Sequence, residues 1–124
     1  MTFMMKKIIK KQVEVAKIIQ DIIKIPVRFK NMKRMIGYAE HLPYIPLNIT
    51  ISNYMLTCSD NDIQDLVLHE ISHLITCLEQ GISTNHKDKI FVKTCKTLGC
   101  NHNPTISYKG FTKFQQVKFP VKKY

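Results

Sequence analysis

The sequence predicts an α+β fold: a small, mainly antiparallel sheet packed on one central helix, preceded by an amphipathic N-terminal helix. Three observations lead there. A lysine-striped apolar pattern runs from Phe3 to Ile23 and stops ahead of Pro26. Three short β-prone runs follow between Val27 and Ser52, broken by Asn- and Pro-containing segments. Apolar residues then recur at helical spacing over residues 63–78. The 124 residues suffice for one core and not two. The expected organisation is a single domain over residues 1–124, with the N-terminal helix at about 3–23, a core at about 27–99 and a C-terminal hairpin or extended tail at about 105–120.

In chain order, Met4, Met5, Ile8, Ile9, Val13, Val15, Ala16, Ile18, Ile19, Ile22 and Ile23 give the first helix one broad apolar face opposite its lysines. A basic amphipathic helix of this kind packs on its own domain more often than on a lipid surface. Pro26 ends it. Val27–Lys30, Met35–Glu40 and Leu47–Ser52 read as short strands, separated by Asn31–Lys33 and Pro43–Pro46. Ser59-Asp60-Asn61-Asp62 offers an N-cap and first-turn acids for the central helix. That helix carries Ile63, Leu66, Val67, Leu68, Ile71, Leu74, Ile75 and Leu78 and stops at Gly81. A second helical pattern starts at His86 and continues through Ile90, Phe91, Cys95 and Leu98. In the tail, Thr105–Tyr108, the turn Lys109-Gly110 and Phe111–Phe119 suggest a hairpin or extended segment ending at Pro120.

Composition narrows the functional classes. No stretch reaches the roughly 18–20 apolar residues that span a bilayer, and Lys6, Lys7, Lys10 and Lys11 interrupt the start without a signal-length apolar run after them. The expectation is a soluble, cytoplasmic protein with no membrane partner. Cys58, Cys77, Cys95 and Cys100 lack the spacing of a disulfide scaffold and are expected reduced, Cys77 and Cys95 as core thiols. Cys100 with His102 is a minor candidate for a second metal. The net charge of +10 is unevenly spread. Residues 1–34 hold ten Lys/Arg and two acids, residues 85–124 hold nine and one, and residues 35–84 hold no basic residue and six acids. Two basic flanks thus surround a neutral-to-acidic centre. If they meet in space they form a surface suited to phosphate backbones; the plainer reading is solvated lysine on a Lys/Ile-rich surface. No motif of a base-reading family is present.

The most informative stretch is His69-Glu70-Ile71-Ser72-His73. Positions i and i+4 of a helix lie one above the other, so both imidazoles reach one ion from the same side. Glu70, about 100° round the helix, leans toward water held there. Two His ligands and an adjacent carboxylate let zinc activate water against an amide. Chance matches to so short a pattern occur, and two half-buried histidines on an amphipathic helix would be the bland explanation. The mid-helix placement and the further histidines favour a metal site. Catalytic zinc usually takes three protein ligands. His86, at the start of the next helix, is the favoured third, with His41 and His102 as alternatives.

The stretch from Val27 to Gly99 resembles the SprT-like metallopeptidase domain, also found in the Spartan DNA–protein crosslink proteases. The matching pieces are Val27-Arg28-Phe29 with Arg34, Gly37-Tyr38-Ala39, Ile49-Thr50-Ile51-Ser52 with Tyr54-Met55-Leu56, the His69–His73 motif, His86, and Leu98-Gly99. The usual Gly after the third histidine is replaced by Lys87, Ile90 holds the place of an aromatic, Phe91 comes one residue later, and no C-x-x-C is present. The resemblance implies a minimal zincin-like fold, with Zn2+ held by His69, His73 and His86 and Glu70 as general base. It implies a zinc metalloendopeptidase, with DNA-associated proteins as substrates and DNA, met non-specifically through the basic flanks, as a partner. Two other readings stay open: a zinc protease aimed at one regulatory protein without DNA, and a DNA-binding module whose zinc is structural. Tyr38, Tyr44 and Tyr108 are candidate oxyanion donors, each more naturally structural.

Overall fold

Ser59 and Gly81 bracket the helix around which the other elements are arranged. The computed structural model describes residues 3–81, 86 and 88–102, the side chain of Met4 excepted. In chain order the elements are α1 (Phe3–Ile22), β1 (Val27–Lys30), β2 (Gly37–Leu42), β3 (Ile45–Ser52), a 3-10 turn (Asn53–Thr57), α2 (Asp60–Gln80) and α3 (Lys89–Leu98). The tail expected to form a hairpin at 105–120 lies outside the described residues.

The α+β class stands, with three α-helices and a three-stranded sheet in the order β1-β3-β2 among the described residues. The sheet is mixed, where the sequence predicts a mainly antiparallel one. β2 pairs antiparallel with β3, whereas β1 pairs parallel with it, Val27 opposite Ile49 through Lys30 opposite Ser52. The cause lies in β3, whose residues 48–52 are all buried. A strand covered on both faces belongs in the centre of a sheet, and occupying that place separates β1 from β2. Ile49 and Ile51 of β3 join Val15 and Ile19 of α1, Met55 and Leu56 of the 3-10 turn, and Ile63, Leu66, Val67, Ile71 and Leu74 of α2 in the core.

Two strand boundaries differ from expectation. β2 starts at Gly37 and runs on to Leu42, and the connection to β3 is only Pro43-Tyr44. Pro46, which reads as a loop residue, sits inside β3 opposite His41, beside a register shift between Glu40 and His41. A proline lacks the N–H a regular ladder uses, so an irregular point of the ladder accommodates it. Tyr44 takes φ 61°, a left-handed conformation uncommon for a bulky residue.

The α1 face is narrower than its composition suggests. Val15 and Ile19 are buried and Ile8 and Ile23 pack partly on the core, but Met5, Ile9, Val13, Ile18 and Ile22 are exposed. Polar contacts tie α1 down: Lys11 pairs with Asp60 at the start of α2, and Gln12 Nε2 donates to Asn53 Oδ1 at 2.8 Å. Among the described residues no helix is long and apolar enough to cross a membrane.

α2 has the ends its sequence calls for. The Ser59 side chain accepts from the Asp62 N–H at 3.2 Å, and Asp60 and Asp62 lie in the first turn, where acids favour the helix dipole. At the far end Gly81 adopts φ 75° and its N–H bonds the Cys77 carbonyl at 2.7 Å. A Cβ on Gly81 would meet Cε2 of Tyr44 at 2.3 Å, so the tyrosine ring lies directly against the helix end.

Candidate functional site

α2 buries one side along much of its length, and that side includes His69 and Glu70, both 0% exposed, with His73 half-buried one turn on. Burial of polar side chains is costly unless something compensates. The chain that follows adds a third imidazole to the pair. His86 lies in the turn just ahead of α3, whose N-cap Asp88 accepts from Ile90 N–H at 2.9 Å. α3 packs against α2 and brings His86 to the pair.

The three rings form a compact cluster. Centroids are 5.0 Å apart for His69–His73, 5.4 Å for His69–His86 and 4.8 Å for His73–His86. One ring nitrogen from each lies within 4.8 Å of the others. Phe91, fully buried on α3, touches all three rings: it stacks on His73 at 4.4 Å and meets His69 and His86 edge-on at 5.4 and 5.3 Å. The cluster is therefore walled by an aromatic face that excludes water on one side.

Other contacts fix the individual groups. His69 Nδ1 lies 2.6 Å from the Asn101 carbonyl oxygen. A carbonyl only accepts, so Nδ1 carries a proton, and in the neutral tautomer that this selects the lone pair is on Nε2. Glu70 has both carboxylate oxygens buried with no hydrogen-bond partner among the described residues. Burial pushes its carboxyl up to about 8 from 4.5, with the Cys100 thiol adding to the effect. Cys100 follows Gly99, which has φ 79° and closes α3, with Cys100 N–H bonded to the Cys95 carbonyl at 2.9 Å. The two thiols share a hydrogen bond that lowers Cys100 and raises Cys95, and Ser72 Oγ lies 3.5 Å from the Cys100 sulfur.

The structure thus brings His69, His73 and His86 together, with Glu70 buried next to His69 in the chain. It leaves out the alternatives for a third imidazole. His41 sits on β2 with Nδ1 3.3 Å from the Leu42 carbonyl, and His102 is exposed beyond α3. Among the described residues His69, His73 and His86 form the one group of three or more metal-ligating side chains, so Cys100 and His102 have no third companion for a second ion. Of the three tyrosines that could donate to an oxyanion, Tyr38 accepts from Lys30 Nζ at 3.5 Å, Tyr44 lies on Gly81, and Tyr108 is outside the described residues.

Sequence reasoning missed two site components. Phe91 reads as one more core position. Its place one turn before Cys95 on the buried face signals burial, but periodicity does not distinguish a core residue from the wall of a site. Asn101 meets His69 through its main-chain carbonyl, which no side-chain motif announces.

Three neutral imidazoles are a donor set that suits zinc. The buried Glu70 carboxylate fits the same group, because a nearby cation with its solvent would offer a partner that the described residues do not.

A family model described as the SprT-like family matches residues 5–115. No curated protein and no solved structure matches the chain.

Proposed function

The chain belongs to the SprT-like family, and from that premise we propose that it is a zinc-dependent metalloendopeptidase with a zincin-like core. The observation that carries the reading is Glu70: a carboxylate with both oxygens buried and without a hydrogen-bond partner among the described residues, one residue from an imidazole of the His69, His73 and His86 cluster. A side chain kept in such a position makes little sense as a structural element, since burial without a partner costs stability. It makes sense as a proton carrier held dry beside a metal.

In this reading His69, His73 and His86 would hold the ion through neutral nitrogens, and zinc bound there would supply a Lewis acid able to lower the pKa of water toward about 7 and to polarise a carbonyl. Glu70 accepts the proton of the attacking water and passes it to the departing amine nitrogen. Phe91 keeps the His73 ring in place and closes that side to solvent. The ligand count also bears on the structural-zinc alternative. Structural sites are closed by four protein ligands, and the group found among the described residues has three.

For substrates, the reading extends to proteins bound to DNA. Support comes from the exposed Lys89, Lys93 and Lys96 on α3, the helix that also carries Phe91, and from Lys6, Lys7 and Lys10, exposed on α1. Phosphate contacts of this kind need no base-reading motif.

The test is proteolysis of a DNA-binding protein by the zinc-loaded chain, with and without single-stranded DNA, beside Glu70→Gln. The variant should retain zinc and lose cleavage by at least about 100-fold, the lower end expected for a general base. Cleavage by Glu70→Gln at the unaltered rate would remove the proposed role. Cleavage that ignores DNA would favour a protease for a particular regulatory protein.

A further inference from the structure

One turn ahead of His69 on α2 stands Asp65, a residue that the proposed reaction does not use. Its Oδ1 accepts a hydrogen bond from the main-chain N–H of Asn101 at 2.8 Å. The carbonyl of the same Asn101 takes His69 Nδ1 at 2.6 Å. A single residue of backbone therefore bridges a carboxylate and an imidazole that sit four residues apart on one helix. The bridge belongs to the segment just past α3, where Gly99 turns the chain at φ 79° and Cys100 N–H returns to the Cys95 carbonyl at 2.9 Å.

We propose that Asp65 is a positioning residue for the metal centre, acting through the Asn101 backbone to fix the orientation and tautomer of His69. The argument is one of geometry. A ring bonded through Nδ1 to a fixed carbonyl presents Nε2 in one direction only, and ligand imidazoles generally depend on such an outer partner. A carbonyl in a segment just past a helix is a poor anchor unless its own residue is anchored. The Asp65 carboxylate supplies that anchor with a charge-assisted bond. The i, i+4 spacing adds rigidity, because both ends of the bridge rest on successive turns of one face of α2. The three-ring cluster then tolerates little drift, with His69 held from behind while His73 is held by stacking on Phe91.

The proposal rests on the metal-centre reading above, and the experiment separates the two. Zinc affinity is measured on the full chain by competition with a chromophoric chelator, for the unaltered protein, Asp65→Ala, Asp65→Asn and His69→Ala. The cobalt(II)-substituted visible spectrum is recorded for each. Asp65→Ala should bind zinc about 10–100-fold more weakly, the range for loss of an outer-shell partner, and should show an altered cobalt spectrum. Asp65→Asn keeps an acceptor oxygen and should stay within about threefold of the unaltered chain, since it retains the bridge. Unchanged zinc affinity in Asp65→Ala would overturn the proposal. So would equal loss in Asp65→Asn and Asp65→Ala.

A second measurement does not depend on metal or on a variant that folds. Nitrogen NMR of the imidazoles in the metal-free unaltered chain should show His69 as the Nδ1–H tautomer, and the Nε2–H tautomer would overturn the bridge. If the unaltered chain and His69→Ala both fail to bind zinc, the metal reading falls while the tautomer still decides whether the bridge positions His69.

Discussion

At the scale of single residues, the His69–Glu70–His73 triple was legible because helical spacing is a local rule. A pattern of five residues dictates which side chains share a face, whatever the rest of the chain does. His86 required a further step, that the next helix starts beside the first, and the structure brings its ring to 4.8 Å from His73. The state of Glu70 was not legible, since burial is set by every element packed around it. That burial has a measurable consequence in the metal-free chain. The folded carboxyl keeps its proton up to about pH 8, while an unfolded one releases it near 4.5. Between those values the folded state binds more protons, so stability declines as pH rises through the window, by up to about 5 kcal/mol in total. Below it nothing is lost. Thermal unfolding of the chelator-treated chain from pH 5 to 8 should show this decline, and Glu70→Gln should flatten it. Parallel pH curves for the two chains would refute the assignment.

At the scale of elements, helices are more accurately legible than strands. The α2 limits follow from Ser59 and Gly81, whose side-chain acceptor and left-handed backbone act within a few residues. The β2–β3 turn is tighter than the sequence predicts, because Pro46 reads as a breaker although a register shift at its partner His41 gives it a place in the ladder. The resulting two-residue turn holds Tyr44 at φ 61° with its ring on Gly81. The hairpin and the end of α2 are therefore coupled, and the coupling should appear as non-additivity. Gly81→Ala should cost about 1–2 kcal/mol from its positive φ, and more because the new methyl would push the Tyr44 ring off the helix end. In a Tyr44→Ala background only the first part should remain, giving an interaction energy of at least about 0.5 kcal/mol in a denaturant double-mutant cycle. Strict additivity would mean that the ring contributes nothing there.

At the scale of the whole molecule, the α+β class was legible from the succession of periodicities, whereas the mixed sheet was not. Strand order depends on which strand is buried on both faces. That belongs to β3 only once α1, α2 and both neighbouring strands are in place. The exposed lysines of α1 and α3 lie on either side in sequence of the lysine-free stretch that contains α2. The Asn101 bridge reaches across the same molecule, because a residue past the last described helix serves a ring in the middle of α2. The two bonds of the bridge use the Asn101 main-chain N–H and carbonyl, so we expect the position to be bound by spacing and not by spelling. Asn101→Ala should leave zinc affinity within about threefold, since backbone groups persist in any non-proline residue. One glycine inserted between Cys100 and Asn101 should weaken it at least as much as Asp65→Ala. The inverse result would make the side chain the working part. With the expected pair of results, the site accepts many substitutions at residue 101 while rejecting a change of one in the length of the loop, a constraint that appears only when chain length is allowed to vary.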